Sequence, residues 1–112
     1  MSNRFRSTRD VIIRVPNLDS AARFYESALG LPVSHRSENL VGFDTGAFTL
    51  YVEGGEPHGP IFEMLVPNLA EATARLLGAG CRIVEEDPTV PRCYIRDPHG
   101  FIFNVAESGN AV

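Results

Sequence analysis

The apolar residues of this chain follow two periods. Val11, Ile12, Ile13 and Val15 form a β-branched run closed by Pro16, the composition of a buried strand. From Leu18 the spacing changes. Leu18, Ala21, Ala22, Tyr25, Ala28 and Leu29 recur at three- and four-residue steps and predict one helical stripe over 18–29, with Asn17 as N-cap and Gly30 as stop. Three short strands are predicted next, at about 32–37, 39–44 and 47–53, the last two joined by the turn Asp44-Thr45-Gly46. The first half thus reads β-α-β-β-β.

The second half repeats that order. Gly54-Gly55-Glu56-Pro57-His58-Gly59-Pro60 reads as a linker. A strand at 61–66 leads to Asn68 as N-cap, with Glu71 completing a capping box, and a helix from Leu69 to about Leu77 that ends in Gly78-Ala79-Gly80. Strands are predicted near 81–86, 91–96 and 101–106, with Asp97-Pro98-His99-Gly100 as the last turn. Val15-Pro16-Asn17-Leu18 recurs as Val66-Pro67-Asn68-Leu69, an offset of 51 at which Ala21 meets Ala72, Ala28 meets Ala79 and Val33 meets Val84. A period of this size marks one supersecondary unit used again. The expected architecture is α+β: two βαβββ modules, at 10–53 and 61–107, between a loose polar tail at 1–9 and another at 108–112.

Composition narrows the partners. The chain has 112 residues, 44% hydrophobic and 21% charged, as in one ordinary globular domain. The net charge of −4 comes with dispersed acids, so no basic nucleic-acid face is expected. No apolar run reaches the roughly 18 residues of a membrane span, and the opening residues lack a signal peptide's apolar core, which makes cytoplasm the expectation. All ten cations are Arg, and the absence of Lys excludes Schiff-base chemistry and a lysine base. Cys81 and Cys93 are too few and too far apart for a metal knuckle. The expected hairpin sets Val84 rather than Cys81 opposite Cys93, so two free thiols are expected. No nucleophile elbow, phosphate-binding glycine loop or His-Glu-x-x-His helix appears.

Arg14-Val15-Pro16-Asn17-Leu18, Phe24-Tyr25, Leu29-Gly30-Leu31-Pro32-Val33 and Asp97-Pro98-His99-Gly100-Phe101-Ile102-Phe103, together with the repeat, resemble the vicinal oxygen chelate superfamily. That superfamily contains glyoxalase I, extradiol dioxygenases, and fosfomycin- and bleomycin-resistance proteins. The resemblance implies a curled mixed sheet forming a cup, helices outside, and a homodimer. Its metal-using members place ligands five residues before the Val of the Pro-Asn-Leu turn and four after the Gly of the late turn. Here those positions hold Asp10, Leu50, Ile61 and Asn104. One carboxylate and one amide fall short of a site for a catalytic divalent ion, so no cofactor is expected, a divalent metal being the alternative.

Strand alternation lists the residues expected to line the cup. Asp10, Ile12 and Arg14 share a face of the first strand, and Ile61, Glu63 and Leu65 share one of the strand opening the second module. Phe48, Leu50 and Val52 are placed with Leu50, and Ile102, Asn104 and Ala106 with Asn104. Arg14 and Glu63 read either as anchors for a polar ligand or as a mutual salt bridge. Arg92, Tyr94 and Arg96 share one face of the late strand and would suit a planar or acidic ligand.

Three functions are compatible with this pattern. The first is a metal-independent protein that sequesters or senses a small organic molecule in the cup. There Asp10, Arg14, Phe48, Leu50, Ile61, Glu63, Arg92, Tyr94 and Asn104 would be its ligand-binding residues. The second is a glyoxalase- or dioxygenase-like enzyme with an atypical metal site, or a metal-free isomerase or lyase using Asp10 or Glu63 as base. The third is a fold with its cup packed shut, serving protein interaction.

Overall fold

The computed structural model describes residues 4–87 and 92–108. Pro91 and residues 109–112 of the expected C-terminal tail lie outside the described residues. The fold is α+β, and its elements follow the doubled β-α-β-β-β order. The chain divides into two compact units, one holding Arg9–Ile61 and the other Phe62 onward together with the chain up to Thr8.

In the first unit β1 (Arg6–Val15, its first residues belonging to the other unit) runs parallel to β4 (Thr49–Gly54). Strand β3 (Leu40–Asp44) pairs antiparallel with both β4 and β2 (Val33–Ser37), giving the order β2-β3-β4-β1. Helix α1 (Leu18–Arg23) begins at Asn17, whose side chain accepts the Ser20 N–H at 3.0 Å. Ala22 packs with Val41, Phe43 and Val52, and Ile13, Val15, Leu18, Tyr25 and Leu50 close around them.

The predicted helical stripe fails in its last turn. Residues Phe24–Ala28 form a π turn, in which the Leu29 N–H reaches the Phe24 carbonyl. The wider turn rotates the end of the stripe off the buried face. Ala28 and Leu29 are exposed, Leu29 by 55%, and Leu31 packs against the core instead.

The second unit repeats the design with β5 (His58–Val66), α2 (Leu69–Gly78), β6 (Arg82–Asp87), β7 (Arg92–Arg96) and β8 (Ile102–Glu107), in the order β5-β8-β7-β6. Residues Phe62–Val66 of β5 run parallel to β8, and the other pairs are antiparallel. Asn68 accepts the Glu71 N–H at 2.9 Å, and Glu107 accepts the Leu69 N–H at 2.9 Å, so two of the helix's unpaired donors are met. Gly80, at φ +99°, closes α2: its N–H meets the Leu77 carbonyl and the Cys81 N–H meets that of Leu76. Val66, Ala72, Cys81, Cys93, Ile95, Phe103 and Val105 form the core beneath α2.

The structure departs from the sequence-based boundaries at both entry strands. β1 starts at Arg6, within the expected tail, and Phe5 before it packs against the core beneath α2. The Arg75 guanidinium covers the Phe5 ring, 5.4 Å from its centroid. β5 starts at His58, inside the Gly/Pro stretch read as a linker. The β6–β7 register shifts between Ile83 and Glu85, which sets Glu86 rather than Val84 opposite Cys93. Both thiols are free and buried.

Candidate functional site

Each sheet has one face under its helix and one turned away, and the register decides which side chains share them. In the first unit Val11 pairs with Leu50 and Ile13 with Val52, and Ile13, Leu50 and Val52 belong to the core under α1. Leu50 and Val52 therefore face the helix, a correction to the expected lining. The other face carries Thr49, Tyr51 and Glu53 beside Asp10, Ile12 and Arg14. Phe48, which alternation places with Leu50, is 37% exposed. It lines an open depression of about 250 Å³ with Arg9, Ser34, Asp44 and Thr49.

The glycines of the two late turns are not equivalent. Both late turns are organised by their aspartate: Asp44 Oδ1 accepts the Gly46 N–H at 2.8 Å, as Asp97 Oδ1 accepts the His99 N–H at 2.9 Å. Gly46 is thus equivalent to His99, not to Gly100. Counted seven residues from each aspartate, the partner of Asn104 in the first module is Tyr51. Asp44-Thr45-Gly46-Ala47-Phe48 aligned with Asp97-Pro98-His99-Gly100-Phe101, Asp to Asp and Phe to Phe, is the signal that would have found it.

Three rows cross the helix-free face of the first sheet. Arg14 and Glu53 are paired in register, and the Arg14 Nε–H donates to Glu53 Oε1 at 2.9 Å. Ile12, Tyr51, Gly42 and His35 form the next row, with the His35 and Tyr51 rings edge to face at 6.2 Å. Asp10, Thr49 and Asp44 form the third. Burial pushes the Asp10 carboxyl above the usual aspartate range, because desolvation disfavours its charged form.

In the second sheet the corresponding row is Glu63, Asn104, Tyr94 and Glu85. Asn104 Nδ2–H donates to Glu63 Oε2 at 3.0 Å. Asn104 is 0% exposed and Tyr94 4%, and the Arg92 guanidinium lies 5.9 Å from the Tyr94 ring centroid. Arg92 pairs with Ala106 and Arg96 with Ile102, which settles that Arg92, Tyr94 and Arg96 share the Asn104 face. Ile61 is fully buried. Glu53, Tyr51, His35 and Glu85 join the expected residues. Their identities gave no sign of this, since it depends on register.

The superfamily's four metal positions, the two late ones now counted from the turn aspartates, hold Asp10, Tyr51, Ile61 and Asn104. A carboxylate, a phenol, a hydrocarbon and a carboxamide whose nitrogen is engaged by Glu63 do not fit a catalytic divalent cation. Among the described residues no three His, Cys, Asp or Glu side chains are grouped so as to hold a metal ion.

With this geometry in view, the glyoxalase-like domain is the family whose pattern matches, over residues 10–106. The chain belongs to that family. Solved structures agree in fold. A superfamily member from Vibrio splendidus 12B01 is 14% identical, with a TM-score of 0.64 over 96% of this chain and 100% of that one. The hypothetical protein BH1468 from Bacillus halodurans C-125 is 12% identical, with a TM-score of 0.67 over 96% and 97%. An extradiol ring-cleaving dioxygenase from B. fuscum is 22% identical, with a TM-score of 0.64 over 96% of this chain. The chain spans 33% of that enzyme. No curated protein sequence matches the chain. No helix among the described residues is long and apolar enough to cross a membrane.

Proposed function

We propose that this chain is a metal-independent member of the glyoxalase/bleomycin-resistance superfamily that binds a small organic molecule on its helix-free sheet faces. The observation that carries the reading is the Glu63–Asn104 pair. At a position where metal-using members of the superfamily place a ligand, this chain offers a neutral amide tied to its neighbour. Such a group orients an organic ligand by hydrogen bonding and adds little to a cation's affinity. In the second unit the Tyr94 ring would supply the contact area, with Arg92 beside it. The molecule acts as a homodimer in this reading.

A second reading has its own support. Asp10, with its carboxyl raised by burial, is suited to act as a general base at a pH nearer neutrality than an ordinary aspartate. In that case the chain would be an isomerase or lyase, and Asp10→Asn would abolish turnover while leaving binding intact.

Elemental analysis of protein purified without chelator or affinity-tag metal, with melting curves across added Mn²⁺, Fe²⁺, Ni²⁺ and Zn²⁺, tests the main proposal. Substoichiometric metal and no shift beyond that of Mg²⁺ are expected. One bound ion per chain would overturn it.

A further inference from the structure

Asn104 is fully buried on the helix-free face of its unit, and among the described residues its Oδ1 is a buried side-chain oxygen with no hydrogen-bond partner. Its orientation is fixed. With Nδ2 3.0 Å from Glu63 Oε2, a flipped amide would press its oxygen against a carboxylate oxygen at that distance. Oδ1 is therefore turned away from Glu63, on the face it shares with Tyr94 and Arg92. Folded proteins rarely leave such an acceptor unmet, and an exception calls for a partner that arrives from outside the chain.

We infer that Asn104 Oδ1 receives a hydrogen bond from the ligand, which is therefore a neutral or cationic molecule carrying a hydroxyl, amide N–H or amine at that point. The inference rests on the small-molecule reading above and narrows its chemistry. A carboxylate or ether placed there would bring another lone pair to Oδ1, within reach of the Glu63 carboxylate, and gain nothing. The hydrogen bond also gives specificity: a buried acceptor rejects the analogue that lacks the donor more strongly than it rewards the one that has it.

The test uses the full chain labelled with ¹³C and ¹⁵N, following the Asn104 side-chain carbonyl and amide resonances. Phenol is compared with anisole, and benzamide with methyl benzoate and benzoate. The expected result is movement of the Asn104 resonances by phenol and benzamide, with affinities about tenfold above those of the donor-free partners, the equivalent of one hydrogen bond. Asn104→Leu should bring each pair to parity. Should that variant not fold, the resonances of the parent protein decide the matter alone. Equal affinities within a pair, or a donor probe that binds and leaves Asn104 unmoved, overturn the inference and leave the small-molecule reading in place. A long-lived water on Asn104 that persists under saturating phenol also overturns it. If none of the five probes moves any resonance, the donor inference fails and the small-molecule reading loses its support with it.

Discussion

Tyr51 lies across Gly42: a Cβ built on that glycine would stand 2.9 Å from the ring's Cε1 and 3.2 Å from His35 Cβ. The equivalent row of the second unit carries its tyrosine at the position of the glycine, as Tyr94, and the smaller Asn104 at the position of Tyr51. Each module thus carries one phenol in the equivalent row, the first on β4 and the second on β7, the counterpart of β3. A duplicated backbone has kept the ring and moved its attachment.

Gly42→Ala is therefore expected to destabilise the chain by about 1–3 kcal/mol, the cost of overpacking. Urea denaturation measures it. In a Tyr51→Ala background, where the ring is gone, most of that cost should vanish.

Glu53→Gln keeps the shape of the Arg14 partner and removes its charge. With side-chain exposures of 16% and 25%, the Arg14–Glu53 pair is partly shielded from water. A loss of about 1 kcal/mol is expected, shrinking when the comparison is repeated in 1 M NaCl. No change at low salt would show that the pair is held by its neighbours rather than holding them.

Asp10 links stability to pH. Because burial raises its folded pKa, the folded chain holds this proton to a higher pH than the unfolded chain does. Stability contributed by the neutral form is complete below the unfolded value, near ~4. It is lost as the pH climbs through the raised folded value. Asp10→Asn should consequently melt above the parent at neutral pH, and the difference should close as the pH falls below the ordinary aspartate range. A gap that stays constant with pH would mean that burial of the charge is not what matters at this position.

Phe5→Ala should destabilise the unit that contains α2 by about 1–3 kcal/mol, part of the cost of truncating a fully buried phenylalanine. Exchange of the α2 and β8 amides should quicken first, since those elements carry the core that Phe5 covers.

The legible part of this fold was everything that repeats or alternates. Asn17 and Asn68 cap their helices as the residue types suggest, and Val66, Phe103 and Val105, which alternate with the residues expected to line the cup, lie under α2. The part that was not legible depends on register. Counting from glycine puts Leu50 on the wrong face, because Gly46 and Gly100 occupy different steps of turns that their aspartates organise alike. Alternation offers Glu63 as a partner for Arg14 and gives no hint of Glu53, its register neighbour on β4, because strand pairing is invisible in a single sequence. Phe5 reads as part of a tail because the core it packs against begins about sixty residues on, and no local pattern announces so distant a contact.

That last contact sets an order of events during synthesis. Phe5 leaves the ribosome about sixty to a hundred residues ahead of the core that receives it, which runs from Val66 to Val105. It must wait, exposed, while the whole stretch between is made, and loop closure over that span is slow compared with formation of the helices within it. A residue translated early is among the last to find its place.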